Sequence, residues 1–129
     1  MRVPLWSVPF LSLTASASAV DRLPLERGIY VEVGSRCVGA ANAVTTSYWG
    51  ADNGINTQRT DCRIVTVIKR SSTYALHRIC RELAADRSFS DSVRVTIHDR
   101  THFTLHGQPG PLPPDRSYRH CGPRYQSEP

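Results

Sequence analysis

The fold is decided by the stretch Cys62-Arg-Ile-Val-Thr-Val-Ile-Lys-Arg-Ser-Ser-Thr-Tyr-Ala-Leu-His-Arg-Ile-Cys80, which has a cysteine at each end. Its two halves, residues 63–69 and 73–79, are rich in β-branched side chains and flank a short polar segment. Two such runs around a polar turn are typical of a β-hairpin. The sequence therefore predicts two antiparallel strands bounded by cysteines.

The chain has four cysteines, Cys37, Cys62, Cys80 and Cys121, and all of them follow an N-terminal segment with the features of an export signal. An even number of cysteines in a short exported chain is typical of disulfides. The sequence contains no Cys-x-x-Cys spacing, which disfavours both a metal knuckle and a redox-active pair. We therefore predict two structural disulfides.

The pairing of these cysteines depends on the turn of the hairpin. If Lys69 pairs with Thr73, paired residue numbers sum to 142, and Cys62 faces Cys80 within disulfide reach. If the turn is one residue shorter, the sum is 143 and these cysteines point to opposite faces. Bridges across a single hairpin are uncommon and add little to what the turn supplies. Sequence alone leaves the pairing open, and we favour the sequential pairing Cys37–Cys62 with Cys80–Cys121.

The rest of the chain also reads mainly as β-structure. Ile29, Val31 and Val33 alternate with polar neighbours and predict a strand over residues 28–33 with that apolar set facing inward. Residues 81–86 are the one helical candidate. We predict an all-β fold, a small antiparallel meander or barrel with at most one short helix and two disulfides. The further predicted strands are residues 43–49, 93–98, 102–105 and 117–121, and the tail after Cys121 is predicted to fray.

The hairpin of residues 93–98 and 102–105 separates apolar from polar side chains when its loop is Asp99-Arg100-Thr101. The predicted pairs are Val95 with Leu105 and Ile97 with Phe103 on one face, and Thr96 with Thr104 and His98 with His102 on the other. His98, His102 and His106 then share the polar face. Two facing imidazoles can hold zinc, with His106 or Asp99 as a third ligand, but isolated histidines on a solvated strand face are the favoured interpretation. We predict no metal and no cofactor.

The first 19 residues have the parts of a secretory signal peptide: Arg2, a short apolar run and the small-residue site Ala17-Ser18-Ala19. The run is shorter than the roughly 20 apolar residues that a membrane-spanning helix needs. No later segment is apolar enough to span a membrane. We predict a signal peptide at residues 1–19, one β domain at residues 20–129 with an ordered core at about 28–121, and a periplasmic or secreted location.

No Gly-x-Ser-x-Gly, His-Glu-x-x-His or phosphate-binding glycine loop occurs in the sequence. We therefore predict that the protein is not an enzyme. The alternative is a small metal-dependent hydrolase that uses the face of His98 and His102.

Recognition residues are predicted beside the longest loop, residues 51–60, which is rich in Gly, Asn and Asp. Loops on rigid β scaffolds often carry binding residues, and Trp and Tyr are frequent contact residues. The candidate binding residues are Tyr48, Trp49, Asn53 and Asn56. The competing interpretation places Trp49 in the core.

The charge balance limits the class of partner. Without Arg2, 16 − 1 = 15 basic residues face 11 acidic ones, a net charge of +4. The arginines are not clustered and do not alternate with aromatic residues, so we predict no nucleic-acid binding. A mildly basic surface favours an anionic polymer or an acidic partner protein of the envelope or the cell exterior.

Several short elements resemble small secreted bacterial proteins of uncharacterised function. They run from Gly28-Ile-Tyr-Val31 and Tyr48-Trp-Gly50, through the cysteines, to Tyr118-Arg-His-Cys121. The architecture is also similar in kind to periplasmic lysozyme inhibitors, which are small disulfide-bearing β-barrels. The resemblance implies an exported, non-enzymatic binding or inhibitor-type protein of the bacterial envelope.

Overall fold

The computed structural model describes residues 23–56, 60–107 and 115–127, and the predicted signal peptide lies outside these ranges. The described chain forms one curled antiparallel sheet of seven strands in the order β2-β1-β7-β6-β5-β4-β3. This confirms the predicted all-β fold. The strands are β1 (Gly28–Glu32), β2 (Thr45–Tyr48), β3 (Thr60–Arg70), β4 (Thr73–Glu82), β5 (Arg87–Asp99), β6 (His102–Leu105) and β7 (Arg116–Gly122), with 3-10 turns at Asn42–Val44 and Ala51–Asn53.

The two edge strands, β2 and β3, are joined by the segment of residues 50–56, which we call the edge clasp. Asn56 forms an antiparallel bridge with Ser47 of β2. The amide N–H of Gly54 donates to the carbonyl of Cys62 in β3 at 2.9 Å. Unpaired backbone groups at sheet edges invite pairing with other chains. The clasp satisfies some of them internally and gives the sheet a barrel-like closure.

Aromatic side chains dominate the core inside the curl. Tyr30, Tyr48 and Phe103 are fully buried, and Ile55 of the edge clasp is buried with them. The rings of Tyr30 and Phe103 pack edge to face with centroids 5.1 Å apart, and Tyr118 stacks on Phe103 at 5.2 Å. Leu23 and Leu25, which precede β1, also belong to this hydrophobic core.

The predicted inward face of β1 is confirmed only at Val31, which is fully buried, whereas Ile29 is half-buried and the neighbouring Tyr30 is buried as well. Tyr30 belongs to the central core, and Val33 lies beyond the end of the strand with 59% of its surface exposed. The pairing of β1 with β7 shifts between Ile29 and Tyr30, so the simple alternation is broken there. Gly28 has a φ of +143°, and a Cβ at that position would lie 2.3 Å from the carbonyl oxygen of Gly122. Only glycine allows this close approach.

The β3–β4 hairpin shows why the favoured disulfide pairing is wrong. Arg70 pairs with Thr73 across a two-residue loop, so the paired numbers near the turn sum to 143. A register shift between Ile64 and Thr66 then inserts Val65 as an extra residue. Beyond this bulge the sum is 142, and Cys62 faces Cys80.

The two disulfides are Cys62–Cys80, here called the hairpin disulfide, and Cys37–Cys121, here called the terminal disulfide. They replace the favoured pairing of Cys37 with Cys62 and of Cys80 with Cys121. The hairpin disulfide is buried within the β3–β4 pair. The terminal disulfide connects the segment after β1 to β7, which is the neighbour of β1 in the sheet.

The predicted helical turn at residues 81–86 does not form. Arg81 and Glu82 complete β4, and Glu82 pairs with Arg87 across a four-residue loop. A six-residue segment gains little from helix formation because nucleation is costly. The ladder between β4 and β5 therefore ends at the pair of Glu82 and Arg87, and residues 83–86 form the loop that connects the two strands.

The β5–β6 hairpin confirms three predicted pairs, Val95 with Leu105, Ile97 with Phe103 and Thr96 with Thr104. The fourth predicted pair is wrong, because a register shift after Ile97 places Asp99, and not His98, opposite His102. The Asp99 carboxylate accepts hydrogen bonds from the backbone N–H of Thr101 and from the His102 ring. This local turn chemistry displaces His98 from the pair.

The start of strand β2 and the C-terminal tail differ from prediction. Strand β2 begins at Thr45 and not at residue 43, because the preceding residues form a 3-10 turn. The tail after β7 is hydrogen-bonded through Tyr125 and Gln126, and the Gln126 side-chain amide donates to the carbonyl of Cys121 at 2.7 Å. The N–H of Gly39 donates to the carbonyl of Gln126 at 2.7 Å, and the Tyr125 hydroxyl donates to the carbonyl of Ala40.

Candidate functional site

Of the four predicted binding residues, Tyr48 serves the fold. The Tyr48 side chain is fully buried, and its hydroxyl lies against the backbone of Leu23. It therefore has no surface to offer a partner. Trp49 is half-buried, and its backbone N–H donates to the carbonyl of Asn53 at 2.9 Å.

Asn53 and Asn56 use their side chains inside the edge clasp. The side-chain amide of Asn56 donates to Asn53, and its Oδ1 accepts the backbone N–H of Cys62 at 2.8 Å. The Thr46 hydroxyl donates to the carbonyl of Asn56. These amides connect the two sheet edges, so the structure brings the predicted residues together around a structural junction.

A buried arginine that the sequence reading missed completes this junction. Arg78 is 7% exposed and donates two parallel hydrogen bonds to the Asp91 carboxylate, at 2.9 and 2.7 Å. A third bond runs from its Nη1 to the carbonyl of Ile55 in the edge clasp, at 2.6 Å. The alternation of Tyr74, Leu76, Arg78 and Cys80 on one face of β4 is the signal that places this arginine inward.

The three histidines proposed as alternative metal ligands have separate partners. His98 Nε2 lies 2.8 Å from Thr104 Oγ1, and His102 Nδ1 lies 3.0 Å from Asp99 Oδ1. Within the described residues, no group of three His, Cys, Asp or Glu side chains is arranged to hold a metal ion. Asp99 has its pKa lowered to about 2, first by the Thr101 backbone N–H and then by the His102 ring.

His106 is the centre of a linear hydrogen-bond chain that the sequence did not predict. Its Nδ1 lies 3.0 Å from Asp115 Oδ2, and its Nε2 lies 2.6 Å from Thr96 Oγ1. Thr96 Oγ1 is in turn 3.0 Å from the hydroxyl of Thr73 on the neighbouring strand. The Gly107 backbone N–H donates to the other Asp115 oxygen and, with His106, lowers the pKa of that carboxyl.

The β4–β5 hairpin carries the most accessible part of the described chain, which we call the β4–β5 arm (residues 81–90). Every side chain in it is exposed except the half-buried Glu82. Strand β6 pairs with β5 only from Val95 onward, so within the described ladders the arm has no neighbour on that side. Its tip, Leu83-Ala84-Ala85, is apolar, and Leu83 is 57% exposed.

Two ion pairs and a disulfide hold this arm. Arg81 pairs with Asp86 at 2.5 Å, and Arg87 pairs with Glu82 at 2.9 Å. These pairs lie immediately around the apolar tip. At its base, Cys80 is joined to β3 through the hairpin disulfide. The arrangement presents a short apolar loop on a braced two-stranded support.

No family model, curated protein or solved structure matches the chain. The resemblance to lysozyme inhibitors therefore stays a prediction. In the ranges that the structure describes, no helix is long and apolar enough to cross a membrane.

Proposed function

We propose that this chain is an exported binding protein of inhibitor type, and that it inserts the tip of the β4–β5 arm into a cleft of an envelope or extracellular protein. The observation that carries this proposal is the exposure of the Leu83 side chain at the end of a braced hairpin. An apolar side chain at a protruding tip can fill a pocket and lose its contact with water.

The support of the arm favours tight binding because it limits the freedom lost on association. Each exposed ion pair near the tip contributes at most about 1 kcal/mol to stability. Their effect is mainly geometric, since both hold the loop between β4 and β5 in one shape. A loop that is already ordered loses less conformational entropy when it binds.

The chemistry of the tip narrows the kind of cleft. Leu83 is followed by two alanines, so the tip is apolar and slim. Charged side chains flank it on both sides in the sequence: Arg81, Glu82, Asp86 and Arg87. A narrow apolar pocket with a polar rim fits this pattern, and the net positive charge of the domain favours an acidic partner.

Export is part of the same proposal. Disulfides persist in oxidising compartments such as the periplasm or the cell exterior, and the described chain has two disulfides and no free cysteine. The predicted signal peptide at residues 1–19 agrees with a periplasmic or secreted location. Both observations support a partner that is met outside the cytoplasm.

The test is a pull-down from envelope extract with the oxidised domain of residues 20–129, followed by mass spectrometry and affinity measurement with the captured protein. We expect one stoichiometric partner whose affinity falls at least tenfold in Leu83→Arg. Val33→Arg is the matched control, because Val33 is 59% exposed and lies outside the arm, after β1. A partner that binds wild type and Leu83→Arg equally well would contradict the proposed mode.

A further inference from the structure

We propose that Thr96, His106 and Asp115 form a nucleophilic triad that hydrolyses carboxylic esters on the outer face of the sheet. None of the three residues belongs to the β4–β5 arm, so this inference is independent of the proposed binding mode. It differs from the metal-dependent hydrolase predicted on the face of His98 and His102, because the base is His106 and the reaction needs no metal.

The hydrogen-bond partners fix the direction of the proton in this chain. An ionised carboxylate only accepts hydrogen bonds, so Asp115 Oδ2 takes the Nδ1–H of His106. In the neutral ring, Nε2 then carries the lone pair and accepts the hydroxyl proton of Thr96 at 2.6 Å. A hydroxyl bonded to a base that a third group orients is the arrangement of an activated nucleophile.

Asp115 is held in place on its second oxygen as well. The Gly107 N–H donates to Oδ1 at 2.8 Å, which orients the carboxylate toward the ring. Both hydrogen bonds lower the pKa of this carboxyl, so it is ionised at neutral pH. Asp115 is therefore a positioning residue, which sets the tautomer and orientation of His106.

The nucleophile lies beside a groove that suits an anionic substrate. Thr73 pairs with Thr96 in the sheet, and its hydroxyl donates to Thr96 Oγ1 once the Thr96 proton points to His106. Thr73 also lines a surface groove with Ile68, Arg70, Ala75 and Arg94. Within the described chain, the guanidinium groups of these two arginines form no salt bridge.

These groove residues indicate the substrate class. Guanidinium groups bind carboxylates and stabilise the negative charge that develops on a carbonyl oxygen. Ile68 and Ala75 supply an apolar wall for an acyl chain. The groove therefore favours esters whose acyl part carries a negative charge.

The reaction balances without a further reagent. Thr96 Oγ attacks the ester carbonyl carbon while its proton passes to His106 Nε2, and a tetrahedral intermediate forms. The C–O bond to the alcohol then breaks, and the leaving oxygen takes the proton from Nε2. Water attacks the acylated Thr96 in the same way, which releases the carboxylic acid and restores the hydroxyl.

The sheet contains its own comparison site. His98 Nε2 lies 2.8 Å from Thr104 Oγ1, which lies 2.8 Å from Ser117. Among the described residues, no carboxylate is hydrogen-bonded to the His98 ring. This site has the imidazole and the hydroxyl but not the orienting group, so it should lack the activity.

The experiment incubates the oxidised domain of residues 20–129 with p-nitrophenyl acetate and with the mono-p-nitrophenyl ester of succinic acid. Released nitrophenol and the intact mass of the protein are followed, and peptide mapping locates the acyl group. We expect acylation of Thr96, at least tenfold slower release in Thr96→Val and His106→Gln, and retained activity in Thr96→Ser. Thr104→Val is the matched control and should react like wild type. Arg94→Gln should reduce the preference for the succinyl ester.

The pH profile and KM of Asp115→Asn distinguish a catalytic triad from a hydrogen-bond network that only stabilises the fold. Asp115→Asn should lower kcat, change the pH profile and leave KM for the neutral ester unchanged, because it alters the ring that acts as base. Each variant is checked for a wild-type unfolding transition, and Thr96→Val keeps the shape of the side chain. Equal nitrophenol release by folded Thr96→Val and folded wild type would overturn the inference, as would release by wild type that is no faster than in buffer alone.

Discussion

Arg78 allows a sharp test of how the curled sheet is stabilised. The Arg78→Met substitution removes two hydrogen bonds to Asp91 and one to the carbonyl of Ile55. The Arg78 side chain is 8% exposed and that of Asp91 is 30% exposed. Loss of one partner of a buried ion pair costs about 3–5 kcal/mol because it leaves an uncompensated charge.

Two effects of opposite sign change the expected stability cost of Arg78→Met. Water can reach the partly exposed Asp91 carboxylate and lower the penalty, whereas the Ile55 carbonyl loses a charged donor, which adds about 1–3 kcal/mol. We therefore expect Arg78→Met to lower the free energy of unfolding by about 3 kcal/mol. For a domain of this size, that is a fall in Tm of roughly 10–20 °C.

The assay is urea unfolding of the oxidised domain followed by circular dichroism. Arg87→Met is the matched control on β5, since its ion pair with Glu82 is mostly exposed on the arginine side and should contribute less than about 1 kcal/mol. A double-mutant cycle with Asp91→Leu should give a coupling energy above about 1.5 kcal/mol. If Arg78→Met loses no more stability than Arg87→Met, the junction does not depend on this arginine.

Two further predictions concern the disulfides and one turn. The terminal disulfide closes a loop of 84 residues and the hairpin disulfide closes a loop of 18. Chain entropy therefore predicts that replacing each pair by alanines lowers the free energy of unfolding by about 4–5 kcal/mol and about 3 kcal/mol, respectively. Urea unfolding of both variants measures these losses, and equal losses or the reverse order would contradict the prediction. Asp99 has its pKa lowered from 3.8 to about 2, first by the Thr101 backbone N–H, so it stabilises the β5–β6 turn above pH 4 and loses this effect as pH falls toward 2. The stability difference between wild type and Asp99→Asn should therefore be larger above pH 4 than near pH 2. A difference that does not shrink in acid would refute the assignment.

Local pattern was sufficient for the fold class and for three of the four predicted pairs of the β5–β6 hairpin. The separation of apolar and polar side chains across Val95, Ile97, Phe103 and Leu105 fixed that register, and the structure confirms it. The polar Ser71-Ser72 turn likewise marked the β3–β4 hairpin. These features are encoded within a few residues, so they can be read without knowledge of the rest of the chain.

The bulge at Val65 could not be read in this way. It lies in the uninterrupted run Ile64-Val-Thr-Val67, where no glycine or proline marks an irregularity. Its single extra residue reverses which face the preceding residues occupy, and the disulfide pairing follows from that. The helical candidate at residues 81–86 failed for a related reason: Arg81 and Glu82 pair across strands with β5, and this leaves Leu83 and its alanines in the connecting loop.

The composition of the predicted binding loop was ambiguous. A loop rich in Gly, Asn and Asp can present side chains to a partner or use them to satisfy backbone groups. Asn53 and Asn56 do the second, and this is visible only once β2 and β3 are known to be the edges of one curled sheet. The hydrogen bonds that link Asp115, His106 and Thr96 could not be predicted for the same reason. These residues are separated in sequence, and the pairing of the strands brings them together.

The edge clasp also has a consequence for how the protein can diversify. Its side chains are used internally, and a Cβ on Gly54 would lie 2.4 Å from the Ile64 side chain, so substitutions there disturb the closure of the sheet. The tip of the β4–β5 arm is exposed and follows a braced ladder, so its residues can change with little effect on folding. Within one small domain, the edge clasp therefore maintains the closure of the sheet while the tip of the arm is free to vary. New binding preferences can arise through substitutions at Leu83 without loss of that closure.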